Sequence, residues 1–386
     1  MRIAYVTDTY PPELNGVALT VERTVAHLRA HGHGVDLIRP RQPVDRLRDA
    51  QPNEWLTAGM PIPMYPDLRF GIATAGSLRR RFERMDAQLV HLATPGPLAW
   101  RALHAARSLG LPATSDFRTN FHQYSGYYHL GALESTILRA LRRFHNRSAL
   151  TFVPTRALRR ELGQLGFEHL AVVGRGVDTV RFAPTRRRAA LRAEWNAADD
   201  APVLLVVGRV AAEKNIEVAL RSFERLARER DDARMVVVGD GPLRARLQLE
   251  HPAVRFVGVQ RGEALAEHYA SADLFVFPSL SETFGNVTLE ALASGLPVVA
   301  FEAAAAAEHV VHGVNGLLVA PGDEDAFAAA ACDLAQRPLR LEAMRRYAVE
   351  AASRVRWEDV LARFDAHLQD TLHGREAPEP TAAVVA

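Results

Sequence analysis

Cysteine is almost absent from this chain of 386 residues, where Cys332 stands alone. That excludes a disulfide framework and a metal site built from several thiolates. Lysine is as scarce: of 47 basic residues, 46 are Arg and only Lys214 is Lys. No stretch approaches the ~20 consecutive apolar residues of a membrane-spanning helix. The opening MRIAYVTDTYPP lacks the charged-then-apolar layout of a signal peptide, so a cytoplasmic location is expected. No stripe of interleaved aromatic and basic residues marks a nucleic-acid-reading module, and nucleic acid is not an expected partner.

What is present is a globular composition, 48% hydrophobic and 24% charged, long enough for two domains with a core each. Short apolar runs alternate with helical patterns. Arg2–Thr7, Val35–Arg39, Gln88–Leu92 and Ala113–Phe117 read as strands, with helices over Gly16–Ala30 and Ala99–Ser108. Phe182–Asp200 is polar and interrupts the pattern. Pro202–Gly208 then opens a second series, with strands at Arg234–Val238, Val254–Val257, Leu274–Phe277 and Val298–Ala300. Such alternation predicts an α/β chain of two doubly wound, Rossmann-like domains facing a cleft. The division expected is 1–182 and 183–356, with a C-terminal helix at about 357–375 rejoining the first domain and a disordered Pro/Ala-rich tail at 376–386.

Charge is unevenly spread. Residues 1–181 hold 24 basic against 15 acidic side chains, and residues 182–386 hold 23 against 30. A basic half favours anionic partners, an anionic membrane surface among them. Ser77–Met85 and Leu133–Arg147 set Leu and Ile beside Arg clusters, the profile of an interfacial helix. An ordinary amphipathic helix with its apolar side in the core fits either segment alone slightly better.

In open α/β sheets ligands bind beyond the carboxyl ends of the strands, and the unusual residues fall there. After the first strand comes Asp8-Thr9-Tyr10-Pro11-Pro12-Glu13-Leu14-Asn15-Gly16, where a Gly at a helix start lets backbone N–H groups approach an anion. Arg209 and Lys214 flank a strand-to-helix turn, a placement suited to a diphosphate. A compact point charge at 214 fits a chain that otherwise uses only Arg. Gly239-Asp240-Gly241-Pro242 is a weak signal by itself. In Pro278-Ser279-Leu280-Ser281-Glu282-Thr283-Phe284-Gly285-Asn286-Val287-Thr288-Leu289-Glu290-Ala291, Glu282 lies in a tight Gly-containing loop and Glu290 one turn into the helix that follows. One carboxylate can meet a sugar's hydroxyls and the other a ribose. An acid within an apolar stretch, as at Glu290, is seldom idle.

The pattern Pro-Ser-x-x-Glu-x-Phe-Gly-x-x-x-x-Glu-Ala-x-Ala-x-Gly-x-Pro-Val resembles the retaining GT-B-fold glycosyltransferases of the large family four. Tyr10-Pro11-Pro12…Asn15-Gly16-Val17, Arg175-Gly176-Val177-Asp178, Gly208-Arg209, Glu213-Lys214 and Gly313–Val319 extend the likeness over nearly the whole chain. It implies that Arg209 and Lys214 hold the donor diphosphate, Glu282 contacts the transferred sugar and Glu290 binds the ribose. Phe284, Gly285, Asn286 and Val287 would line the sugar and phosphate site, Val259 would edge the nucleobase, and Asn15 and Gly16 would approach the phosphates. One departure stands out. Where relatives often carry His before Thr, this chain has Arg118, and His122 follows four residues later, so either is a candidate for contact with donor sugar or acceptor.

Arg175–Asp178 and His91…Thr94-Pro95-Gly96-Pro97-Leu98 look most like the branch of GDP-mannose-dependent α-mannosyltransferases and glycolipid-forming transferases. That implies mannose transfer from GDP-mannose to a lipid or glycan. A UDP-glucose- or UDP-galactose-dependent relative and a nucleotide-sugar isomerase are the alternatives. No cofactor and no metal are expected. Asp323-Glu324-Asp325 reads as a helix cap rather than a metal-binding pair.

Overall fold

A computed structural model describes residues 1–13, 16–43, 45, 53–62, 65–118 and 131–375. The chain separates into two compact units. Of the described residues, unit 1 takes those up to Gly174 and those from Val360, and unit 2 takes Arg175–Asp359.

Unit 1 carries an eight-stranded sheet: β1 (Arg2–Val6), β2 (Gly34–Pro40), β3 (Glu54–Ile62), β4 (Tyr65–Ile72), β5 (Leu89–Leu92), β6 (Ala113–Asp116), β7 (Leu150–Val153) and β8 (Leu170–Val172). The order is β4-β3-β2-β1-β5-β6-β7-β8, parallel except for the β3–β4 pair. β1, β5 and β7 are buried along nearly their whole length, as expected where helices cover both faces of a parallel sheet. The β3–β4 hairpin lies outside the sequence reading. Pro61, Pro63 and Pro66 interrupt any strand pattern there; Pro66 falls in the edge strand β4 and Pro61 in the part of β3 beyond its pairing with β2, positions that tolerate proline. The C-terminal helix Trp357–Leu372 packs into this unit through Phe364, 4.7 Å from the Phe152 ring. It is also tied by Asp365, whose carboxylate lies 2.9 Å from His33 Nε2.

Unit 2 holds six parallel strands: β9 (Val203–Val207), β10 (Arg234–Val238), β11 (Arg255–Gly258), β12 (Leu274–Phe277), β13 (Val298–Phe301) and β14 (Gly316–Val319). Their order, β11-β10-β9-β12-β13-β14, is the doubly wound 3-2-1-4-5-6 arrangement. The division between the units falls at Gly174/Arg175 rather than at 182/183. Val177 and Phe182 are buried in the core of unit 2, and the Val177 N–H donates to the Val355 carbonyl at 3.0 Å.

Both segments with an interfacial profile place their apolar side in unit 1 itself. In the helix Ala75–Arg84, Leu78 and Phe82 are buried and Arg81 pairs with Asp36. In the helix Gly131–His145, Leu141 and Phe144 are buried, with Ile137 and Leu138 packed against the cluster that holds Leu141. Among the described residues of these helices, the arginines on the outer face are left for a charged surface.

Candidate active site

The strand order of unit 2 reverses between β9 and β12, which are hydrogen-bonded neighbours, so their following loops lie side by side. This is the switch point at which open α/β sheets bind ligands. The β9 loop brings Gly208, Arg209 and the short turn Ala212–Lys214, and Asn215 in the left-handed region leads into the helix Ile216–Ala227. The β12 loop brings Pro278–Gly285 and leads into the helix Asn286–Ala293.

The two loops meet through charge. The Lys214 ammonium donates to Glu282 Oε1, joining residues 68 positions apart. The Ser279 hydroxyl donates to the same oxygen at 2.9 Å. Arg209 reaches Glu213 Oε1 at 3.1 Å, and the Ser281 hydroxyl fastens the two loops by donating to the Glu213 carbonyl at 2.9 Å. The Arg209 side chain is 43% exposed, and Lys214 and Glu282 are 18% and 15% exposed. Two cations therefore stand at the mouth of the switch point, each resting on a carboxylate, Arg209 on Glu213 and Lys214 on Glu282, with Arg209 the more exposed. A bound diphosphate would find charge-assisted donors on both.

Gly285 has φ +87° and caps the helix Asn286–Ala293. The left-handed backbone turns the chain sharply from Glu282 into the helix, a conformation that favours glycine. Phe284 is buried in the unit 2 core, so its backbone and not its ring is what it can offer a ligand. Asn286 and Val287 are half-buried on the first turn. Glu290 Oε2 accepts from the Tyr269 hydroxyl at 3.0 Å. Burial, then the Glu290 carboxylate, raises the Tyr269 phenol well above its usual pKa, so it remains a donor that orients Glu290.

Gly239 and Gly241 have a packing role. A Cβ on Gly239 would fall 1.8 Å from the Gly208 carbonyl oxygen, and one on Gly241 would fall 2.4 Å from that of Val210. The β10 loop can lie against the β9 loop only because both side chains are missing, and this supports the Arg209 turn from behind. Val259, 54% exposed, follows β11 on the same edge of the sheet. Asp323 accepts from the Ala326 N–H at 3.0 Å and caps the helix Glu324–Ala335, while Glu324 pairs with Arg221.

The unit 1 candidates lie in different settings. Gly16 is exposed at the start of the helix Gly16–Ala30. Asn15 and His122 fall outside the described residues. Arg118 is buried, and its Nε lies 2.5 Å from Asp116 Oδ2, which also lies 3.2 Å from His91 Nε2. Burial alone would lower the Arg118 pKa, but Asp116 outweighs it and holds the guanidinium protonated.

Sequence reasoning missed Tyr269, and it quoted Ser279 only as a fixed position of the Pro-Ser-x-x-Glu pattern, without a role. A Tyr in the otherwise small-residue run Tyr269-Ala270-Ser271-Ala272 was the available signal, because a buried phenol needs a partner. Asp8 was quoted only as part of a loop. It is 7% exposed at the end of β1, accepting from the Gly71 N–H at 2.8 Å and the Thr94 hydroxyl at 3.1 Å. Burial raises its pKa to about 6.

Residues 201–337 match the family model described as glycosyl transferases group 1, and residues 14–181 match glycosyltransferase family 4. The chain is 36% identical over 337 residues to a GDP-mannose-dependent alpha-mannosyltransferase of Mycolicibacterium smegmatis, covering 85% of this chain and 86% of that one. It is 29% identical over 314 residues to an alpha-monoglucosyldiacylglycerol synthase of Streptococcus pneumoniae, covering 78% and 71%. The sucrose-phosphate synthase of Thermosynechococcus elongatus shares the fold, with a TM-score of 0.78 and 20% identity over 97% of this chain and 99% of that one. With its paired Rossmann-like units and a charged switch point after β9 and β12, the chain belongs to glycosyltransferase family 4 and is a hexosyltransferase of the GT-B fold.

Proposed function

We propose that the protein transfers mannose from GDP-mannose, with retention of anomeric configuration, to a lipid or glycan acceptor. The observation that carries a nucleotide-sugar donor is the meeting of Lys214, Arg209 and Glu282 at the switch point of unit 2. The guanine base and the mannose rest on likeness to the mannosyltransferase of Mycolicibacterium smegmatis. A lipid acceptor draws support from the diacylglycerol-modifying relative of Streptococcus pneumoniae.

In this reading the bond between the sugar C1 and the phosphate oxygen breaks. The acceptor oxygen bonds C1 on the same face, and its proton passes to the departing diphosphate. Negative charge grows on that diphosphate, and Arg209 and Lys214 stabilise it as it develops. Glu282 leaves Lys214 to the phosphates and turns to the sugar hydroxyls, and Glu290, oriented by Tyr269, holds the ribose. The two cations perform the neutralisation for which other transferases use a divalent ion, so the reaction proceeds without one. Unit 1 takes the acceptor, and its arginines attach the protein reversibly to an anionic membrane surface.

Thermal shift against GDP, UDP, ADP and their sugars, with and without EDTA, tests the reading. GDP and GDP-mannose are expected to stabilise the protein most, with no effect of chelator. A preference for UDP and UDP-glucose would replace the donor, and a stabilisation that collapses with EDTA and returns with magnesium would overturn metal independence.

A further inference from the structure

Unit 1 contains a cleft of about 530 Å³ that none of the roles above uses. It lies beyond the carboxyl end of β2, where the chain passes from Pro40 to Arg41 and Gln42. Its other wall is the outer half of β3 with the returning β4. The register fixes this: Pro40 pairs with Thr57, so Ala58–Ile62 extend past β2 and pair with β4 instead. The cleft thus opens on the edge of the sheet where ligands bind. It adjoins the loop after β1, since the Gln42 side-chain amide donates to Glu13 of that loop.

Its chemistry is that of an anion site. Arg41 and Arg69 both line it. The Arg41 guanidinium has no ion pair among the described residues. Among the described residues Arg69 makes one long bond, NH1 to the Gly59 carbonyl at 3.4 Å, and its buried Nε–H finds no acceptor there. Asp45 is the carboxylate of the lining, and it is already consumed. Arg39 donates to both of its oxygens, at 2.6 and 3.0 Å, and the Gln42 N–H donates to one at 2.7 Å. Gly59 keeps the space open. A Cβ there would sit 3.0 Å from the Arg41 carbonyl oxygen and 3.2 Å from Arg69 Cδ, so any side chain at 59 would wedge between the two arginines.

We infer that this cleft binds a phosphoryl group carried by the acceptor, with Arg41 and Arg69 as its two guanidinium donors. Guanidinium forks match phosphate oxygens in geometry as well as charge. The inference deepens the reading that unit 1 takes the acceptor and rests on it. The phosphate can come from a phospholipid headgroup or from a soluble polyol phosphate, and the experiment separates them.

Binding of glycerol 3-phosphate to the full-length protein is measured by calorimetry, and binding of phosphatidylglycerol vesicles by co-sedimentation at 0.15 M salt. Both are done for wild type, Arg41→Gln, Arg69→Gln and Gly59→Val. Arg101→Gln, on the exposed side of the helix Pro97–Ser108, serves as a control for charge alone. The expected result is a loss of roughly tenfold or more in each cleft variant, in line with one charge-assisted hydrogen bond. GDP affinity should be unchanged and Arg101→Gln unaffected. A response in the vesicle arm alone assigns the phosphate to a lipid, and a response with glycerol 3-phosphate alone assigns it to a soluble acceptor. If the arginine variants fail to fold, Gly59→Val, which keeps both charges, decides. Binding by wild type no tighter than by the three cleft variants would overturn the inference while leaving GDP-mannose turnover untouched. Retained phosphate binding without GDP-mannose turnover would instead overturn the donor assignment.

Discussion

At the scale of single residues, Lys214 shows how one charge can serve two partners. Its ammonium rests on Glu282, and in the proposed reaction a donor diphosphate takes it over. Lys214→Ala and Arg209→Ala are each expected to lower kcat/KM by roughly 100-fold, because each removes a contact that strengthens as the leaving group charges. Glu282→Gln should abolish most transfer but leave GDP affinity equal to or tighter than wild type, since the mutation frees Lys214. Glu290→Gln should mainly weaken GDP binding, and Tyr269→Phe should do so to a smaller degree through the lost bond to Glu290. Calorimetry with GDP beside initial rates separates these outcomes, and equal loss of GDP affinity in Glu282→Gln and Glu290→Gln would refute the division of roles. The lone lysine and the paired carboxylates were readable in sequence because each is an anomaly against its surroundings. The contacts of Tyr269 and Ser279 were not, because they depend on which carboxylate each one touches. Arg118 was placed by family likeness, and its burial on Asp116 depends on a sheet register that the string does not display.

At the scale of elements, the strands that enter both sheets fully buried were the easiest to read. Val203–Val207 and Leu274–Phe277 are uninterrupted apolar runs, and a parallel strand covered on both faces requires that. The β3–β4 hairpin was missed for the converse reason, since prolines and mixed composition break the apolar run that such a strand would show. The loops after β1 and β5 carry a prediction of their own. Asp8 joins them through Thr94, and a Cβ on Gly96 would fall 1.9 Å from an Asp8 oxygen. Burial raises the Asp8 pKa from 3.8 to about 6, so folding favours its neutral form. The stabilisation from that form is complete below the unfolded value near 4 and is lost as pH rises through about 6. Two pKa units correspond to about 3 kcal/mol at most. Denaturant unfolding of wild type and Asp8→Asn at several pH values between 4.5 and 7.5 should show a decline in wild-type stability across this window that the variant lacks. The same decline in both proteins would assign it to another group.

At the scale of the whole molecule, the charge asymmetry is the property most plainly written in the sequence and least explained by the fold. No described helix is long and apolar enough to cross a membrane, and the apolar faces of the two Arg-rich helices are spent on the core of unit 1. The attachment proposed for unit 1 is electrostatic, each basic side chain contributing on the order of 1 kcal/mol near an anionic surface and weakening with salt. Co-sedimentation with anionic liposomes should fall steeply from low to high ionic strength. Replacing Arg79 and Arg80, or Arg142 and Arg143, by Ala should identify the docking face. A protein that stays in the supernatant at low salt would instead point to a soluble acceptor.

The central claim, a charged switch point that moves mannose from GDP-mannose, is tested most directly by turnover of that donor. Purified protein is incubated with GDP-mannose, or in parallel with UDP-glucose, and an extract of polar lipids. GDP or UDP release and the anomeric configuration of the glycosylated product are then followed by nuclear magnetic resonance. The account predicts GDP release coupled to an α-mannosylated product, abolished in Lys214→Ala and indifferent to EDTA. Turnover of UDP-glucose with GDP-mannose left intact, or an inverted β-linked product, would contradict it.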